Sequence, residues 1–309
     1  MTLSEKDNKT LSAIQQKLEA IGQDTSTHLE GLLWSKPMTY WDYIQTDALL
    51  NLQVQRTVLP DEMVFIGYHQ INELIFKLVL WELAQVAETK ELTAAFFKEK
   101  LNRLTRYFDM LTTSFDIMKD GMTVEQYMKF RTTLTPGSGF QSAQYRLIEF
   151  GSTNIINLID ARHRENLRNE RNPEILFENL YWQAAGKDRQ TGEKSFLLKE
   201  FEKKYKRHFL TFVADYQHKN LWSRYQELSS EEQKDENLLT SMRHYDRTVN
   251  IQWVMAHYHA AEHFLDSGKI PVEATGGSHW KKYMHPRFQK RIFFPDLWTR
   301  EELNNWGNE

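Results

Sequence analysis

The chain has 309 residues, is 40% hydrophobic and 13% aromatic, and carries 39 basic against 42 acidic side chains. With only 13 Gly and 7 Pro, this composition excludes a disordered or collagen-like chain and predicts long, regular, well-packed elements. The absence of cysteine excludes disulfides, zinc ribbons, iron–sulfur clusters and thiol nucleophiles. A formal charge of −3 gives no electrostatic drive toward nucleic acid. Met1–Thr10 is polar and charged, so no signal peptide is expected. No run approaches ~18 apolar residues, so no membrane span is expected and a cytoplasmic protein is the default.

Leu11, Ile14, Leu18 and Ile21 recur at helical spacing, and Pro37 closes an N-terminal helical arm over 1–37. A second element starts near Thr39, with Tyr40, Tyr43, Ile44 and Ala48, and Leu59-Pro60-Asp61 punctuates it. From Glu62 to Val86 the pattern is helical. Glu62, His69, Gln70, Glu73 and Lys77 fall in one polar stripe, and the wide apolar remainder, with Phe65, Ile66, Leu74, Leu78, Val79 and Leu83, predicts a helix central to the core. Residues 96–117 repeat the helical spacing. After Gly121, Thr123 as N-cap and Gln126 at N3 predict a capping box and a fresh helix. Pro136-Gly137-Ser138-Gly139 reads as a loop, 140–157 as helical, 184–195 as a polar connection, and 196–228 and 235–267 as long helices. No alternating run indicates a strand and no fixed period indicates a repeat. The fold class expected is all-α: one helical bundle over 38–309 with the N-terminal arm.

Four constellations could carry chemistry, and each has a plain structural alternative. His257, His259 and His263 crowd one helix. His259 and His263 are i,i+4 and share a face as two metal ligands would, or as two surface histidines. His69, one turn after Phe65, sits on the polar stripe of a buried helix, where an imidazole can exchange hydrogen bonds or protons, or simply be satisfied locally. Tyr127 and Arg131 are i,i+4, a phenol beside a fork that fits a carboxylate, or an exposed pair. Thr275-Gly276-Gly277-Ser278 could wrap backbone N–H groups around an anion or be an ordinary loop. No strand precedes it and no Lys takes the P-loop position, so nucleotide binding is not expected.

Together these segments resemble the tryptophan 2,3-dioxygenase family. Asp61–Gln70 with Glu73-Leu74 and Lys77-Leu78 is similar to the family's distal-side helix, and Tyr40-x-x-Tyr43 to its N-terminal element. Phe130-Arg131, Ser138-Gly139-Phe140-Gln141-Ser142 and Gln144-Tyr145-Arg146 resemble a second signature, and Thr275–Ser278 with Phe294-Pro295-Asp296-Leu297-Trp298 a third. The resemblance implies haem b, ferrous in the active form. It also implies oxidative opening of the indole ring of L-tryptophan by O2 to N-formyl-L-kynurenine, the first step of tryptophan catabolism, in a homotetramer.

By position, His259, nine residues before Gly268, is expected to be the axial iron ligand, with His69 the distal histidine against the indole N–H and Phe65 the flanking ring. Arg131 with Tyr127 is expected to clamp the substrate carboxylate, and Thr275 to meet the ammonium and carboxylate end. Tyr40 and Tyr43 are expected to come from a neighbouring subunit. Tyr68 stands where the family usually has Gln, and the segment Ala274–Trp280 departs from the usual Gly-Thr-Gly-Gly-Ser-Ser-Gly. These departures keep two other readings open: a haem monooxygenase of an indole or another aromatic amino acid, and a haem or tryptophan sensor without turnover.

Overall fold

The structure, a computed structural model, describes residues 3–134, 141–187, 191–266, 281 and 284–308. Among them it is all-α, and the only pairings of extended backbone are two isolated bridges, Ile159 with Leu180 and Lys187 with Lys194. None of the described helices is long and apolar enough to cross a membrane.

The chain divides into two compact units, Met1–Gln53 and Val54–Glu309. The first holds α1 (Glu5–Glu19), α2 (Thr25–Trp34), α3 (Tyr40–Ile44) and α4 (Thr46–Leu49). Ser4 opens α1 with a full capping box to Asp7, and Asp24 and Thr39 cap α2 and α3 through their side-chain oxygens. None of these helices buries a residue, and Leu33, Trp34, Met38, Tyr40 and Tyr43 are among its exposed large side chains.

The second unit is built around α5 (Asp61–Glu88), α6 (Ala94–Thr113), α7 (Phe115–Gly121), α8 (Val124–Leu134) and α9 (Ala143–Ser152). It continues through α10 (Pro173–Glu178), α11 (Phe196–Tyr216), α12 (Leu221–Gln226), α13 (Glu236–Arg247), a π-helical turn Thr248–Gln252, α14 (Trp253–Leu265) and α15 (Arg300–Asn305). The sequence had merged several of these. The helix expected over 96–117 breaks at Ser114, and the one expected over 235–267 passes through the π turn.

The long central helix is present, but it buries a different face from the one its hydropathy suggests. Tyr68, Asn72, Phe76, Val79, Leu83 and Val86 are buried, whereas Leu74 and Leu78, expected inside, are exposed with Ile71 and Trp81. Burial follows the side that meets α6 and α9, and α5 has more apolar residues than that side can take. Gly151 on α9 allows the close approach, since a Cβ there would lie 3.1 Å from Leu83 Cδ1. Two clusters result. The larger joins α5, α6, α9, α11 and α13 with Phe293 and Phe294; the smaller gathers Tyr68, Phe115, Met118, Met122, Phe130, Ala260 and Phe264. Trp253 packs against both.

The C-terminal Phe294–Trp298 motif is anchored by one carboxylate. Asp246, fully buried on α13, accepts from Phe293 N (2.9 Å), Phe294 N (3.0 Å), Trp298 Nε1 (3.0 Å) and Asn250 Nδ2 (2.8 Å). Burial outweighs these bonds and pushes its pKa up to about 6. The folded chain therefore holds a proton that the unfolded chain releases between about pH 4 and 6, so this group's contribution to stability declines as pH rises through that window. Asp246→Asn turns an N–H toward two of the donors, for an expected loss of about 3 kcal/mol or more. Denaturant unfolding at several pH values checks both the loss and the disappearance of this pH component.

Candidate active site

The smaller cluster packs between α5, α7, α8 and α14. Its frame is a reciprocal cap between two helix starts. Asp61 Oδ2 accepts from Thr123 N (2.7 Å) and Thr123 Oγ1 (3.0 Å), while Asp61 N donates to Gln126 Oε1 (3.1 Å). Thr123 does cap α8, through Gln126 N to its Oγ1 at 3.3 Å. The reach-back half of the expected capping box is replaced, because the Gln126 amide goes to the neighbouring helix. Glu62, on the polar stripe read from the sequence, is buried and accepts from Arg56 N, Thr57 N and Thr57 Oγ1. Asp61→Ala removes one side of the shared cap and is expected to lower the unfolding free energy by about 1–2 kcal/mol, measurable in urea.

Four and eight residues beyond these caps, one and two turns into each helix, come Phe65 and His69 on α5 and Tyr127 and Arg131 on α8. The structure brings all four together. Phe65 lies 4.1 Å from the His69 ring, 6.3 Å from Tyr127 and 5.6 Å from Phe130 between ring centroids. Tyr127 packs on Phe264 at 4.6 Å, and its hydroxyl accepts from the buried Arg131 guanidinium. Burial raises the Tyr127 pKa, so the phenol stays neutral.

His69 Nδ1 is 2.7 Å from the Phe65 carbonyl oxygen. A carbonyl only accepts, so Nδ1 carries the proton. Burial lowers the His69 pKa, more than the Phe65 carbonyl and Glu73 raise it, and the ring stays neutral with Nε2 as an acceptor. Water still reaches this ring.

The same description fits His257. Its ring stacks on Phe115 (5.3 Å, 12°) and sits 6.0 Å from Trp253. Burial above all, then the nearby His69 and Arg291, pushes its pKa down to about 4. No described residue hydrogen-bonds either ring nitrogen.

His259 is elsewhere. Two residues on a helix subtend roughly 200°, so a helix that turns His257 inward turns His259 outward. The His259 imidazole is 62% exposed and lies 3.7 Å from Glu262, and His263 is also exposed. His259, expected as the axial iron ligand, is thus turned to solvent, and His257 is the histidine that α14 turns toward the aromatic cluster. The inward face of α14 runs Trp253, His257, Ala260, Phe264. Trp253, Ala260, Phe264 and Phe115 were missed as site residues in the sequence and His257 was named but not chosen, although the 4-3-4 spacing on α14 was there to be read.

Thr275, with its Gly-Gly loop, lies outside the described residues, as do Pro136–Phe140. Tyr40 and Tyr43 lie on α3 in the first unit, both exposed. From the second signature, Gln144 Nε2 ties α9 to Glu73, at 2.8 Å from both its carbonyl and its carboxylate, while Tyr145 and Arg146 enter the core.

Fold and site thus define an all-α helical protein in which two histidines held neutral by burial meet one aromatic cluster, with a buried Arg–Tyr pair beside them. A family model described as tryptophan 2,3-dioxygenase matches residues 30–278, and the chain belongs to that family. Similar proteins named tryptophan 2,3-dioxygenase come from Ruegeria sp. (strain TM1040), 45% identical over 37% of this chain and 40% of that one, and from Ruegeria pomeroyi, 37% identical over 51% and 58%. A third, from Polaromonas sp. (strain JS666), is 40% identical over 48% and 50%. The chain spans about half the length of the curated relatives it matches.

Proposed function

We propose that the protein is a haem-dependent dioxygenase that adds both atoms of O2 across the indole C2–C3 bond of L-tryptophan, giving N-formyl-L-kynurenine. The observation that carries this reading is the nearness of His69 and His257 at one aromatic cluster, beside Arg131 and Tyr127.

The residues present fit haem b. A neutral imidazole whose ring nitrogens meet no hydrogen-bond partner among the described residues suits an axial iron ligand, so His257 is the residue we assign to hold it. One buried donor close by, Trp253 Nε1, lacks an acceptor among the described residues. It suits a carboxylate of a haem edge. When bound, ferrous haem supplies the activation of O2.

The rest is the work of the chain. Arg131 takes the substrate carboxylate with its planar fork, steadied by the Tyr127 hydroxyl. Phe65 flanks the indole, and His69 Nε2 accepts from the indole N–H. Fixing both ends of the amino acid aligns the C2–C3 bond before reaction, which removes orientational entropy from the barrier. His69 positions the indole, since electron-rich C3 reacts without loss of the N–H proton. Thr275 is assigned to the ammonium end, on the resemblance alone. The arm with Tyr40 and Tyr43 is assigned to a neighbouring subunit of a homotetramer. Its exposed apolar side chains and lack of buried residues support a partner.

The test is product mass. Protein loaded with haem, reduced, and given L-tryptophan in air is expected to form a product heavier than substrate by two oxygen atoms. One added oxygen would make it a monooxygenase. A substrate-dependent spectral change without product would make it a sensor.

A further inference from the structure

Behind Trp253 lies a polar cluster that the reaction above does not use. Tyr145, Arg146 and Glu149 come from α9, Tyr181 from the short 3-10 helix Tyr181–Gly186, and Arg291 from the segment before Phe293. All five are buried. Arg146 Nη1 is 2.9 Å from Glu149 Oε2 and donates to Tyr181 Oη at 2.8 Å. Arg291 Nη1 donates to Tyr181 Oη (2.8 Å) and Tyr145 Oη (3.1 Å), and is 3.4 Å from Glu149 Oε1, to which Tyr181 also donates.

Two guanidiniums face one carboxylate. Burial raises the pKa of both phenols, so neither supplies a second negative charge. Glu149 is the only acid ion-paired with either arginine among the described residues. One positive charge is left in excess, and Arg291 Nε has no acceptor among the described residues. Buried ionic groups are weak contributors to stability, and apolar replacements often serve the fold as well. The excess charge therefore calls for another role.

Its position suggests one. Arg291 binds the hydroxyl of Tyr145, whose ring lies 4.7 Å from Trp253, whose ring in turn lies 6.0 Å from His257. We propose that Arg291 is a tuning residue, whose fixed buried charge favours the ferrous over the ferric state of an iron held by His257. This rests on the haem reading of the site around His257. Ferric iron carries one more positive charge than ferrous iron, and a like charge in a dry interior acts on that difference with little screening by salt.

The test is a spectroelectrochemical titration of haem-loaded protein. Arg291→Met is expected to lower the midpoint potential, with the ferrous-to-ferric ratio at fixed potential falling about tenfold, or about 59 mV for one electron. Arg291→Lys is expected to restore most of it. Glu149→Gln, which enlarges the excess charge, is expected to shift the midpoint upward and keeps the test alive should the methionine variant not fold. Unchanged midpoints, or shifts of the same sign for Arg291→Met and Glu149→Gln, would overturn the tuning role while leaving the haem reading intact. Failure of the unmodified protein to take up haem would overturn both.

Discussion

Replacing His257 by alanine is expected to abolish the Soret band of haem-reconstituted protein, whereas His259→Ala is expected to keep it. The contrast follows from helix geometry. Of the three histidines on α14, only His257 lies on the inward face with Trp253, Ala260 and Phe264, burial keeps it neutral, and no described residue hydrogen-bonds its ring nitrogens. His259 stands in solvent beside Glu262. Phe115 and Trp253 hold the His257 ring from two sides, so alanine leaves a gap that no neighbouring donor fills. Absorbance after haem titration and desalting decides the matter. Retention in His257→Ala together with loss in His259→Ala would reverse the assignment.

Arg131→Ala is expected to raise KM for L-tryptophan a hundredfold or more, corresponding to about 3–5 kcal/mol for breaking a buried charged pair. The guanidinium is buried and engaged with Tyr127 before substrate arrives, so little ordering remains to be done on binding. The Soret band should be unaffected, since Arg131 lies on α8 and the proposed ligand on α14. Arg131→Lys keeps the charge and loses the fork, so its KM should fall between those of the alanine variant and the unmodified protein. Steady-state kinetics on haem-saturated protein measure all three, and an unchanged KM for Arg131→Ala would remove it from the site.

Much of the architecture was legible because helices announce themselves locally. The periodicity of 62–86 and the Thr-x-x-Gln at 123–126 are set by neighbouring residues, and both mark real helices. The spacing of Phe65 with His69 and of Tyr127 with Arg131 put each pair on one face, and the fold joins them. What failed was the choice of face. Leu74 and Leu78 are as apolar as Leu83, yet only Leu83 meets another helix. His257 and His259 are the same residue type two positions apart, and counting back from Gly268 selected the one that the fold turns to solvent. Trp253, four residues before His257, belongs to the same inward stripe and gave the better register.

By itself the sequence determined the helical class, the approximate helix boundaries, the family resemblance and the candidate pairs on α5 and α8. These depend on contacts within four residues along the chain, which spacing encodes directly. Only the tertiary structure decided that the Asp61 and Thr123 ends cap one another, that His257 and not His259 turns inward, and that Asp246 anchors Phe293 to Trp298. It also decided that two arginines share one buried glutamate. Each of these joins groups tens to well over a hundred residues apart, or depends on which face of a helix meets a neighbour. Burial and hydrogen-bond partnership of that kind arise from packing, and the local pattern of side chains does not contain them.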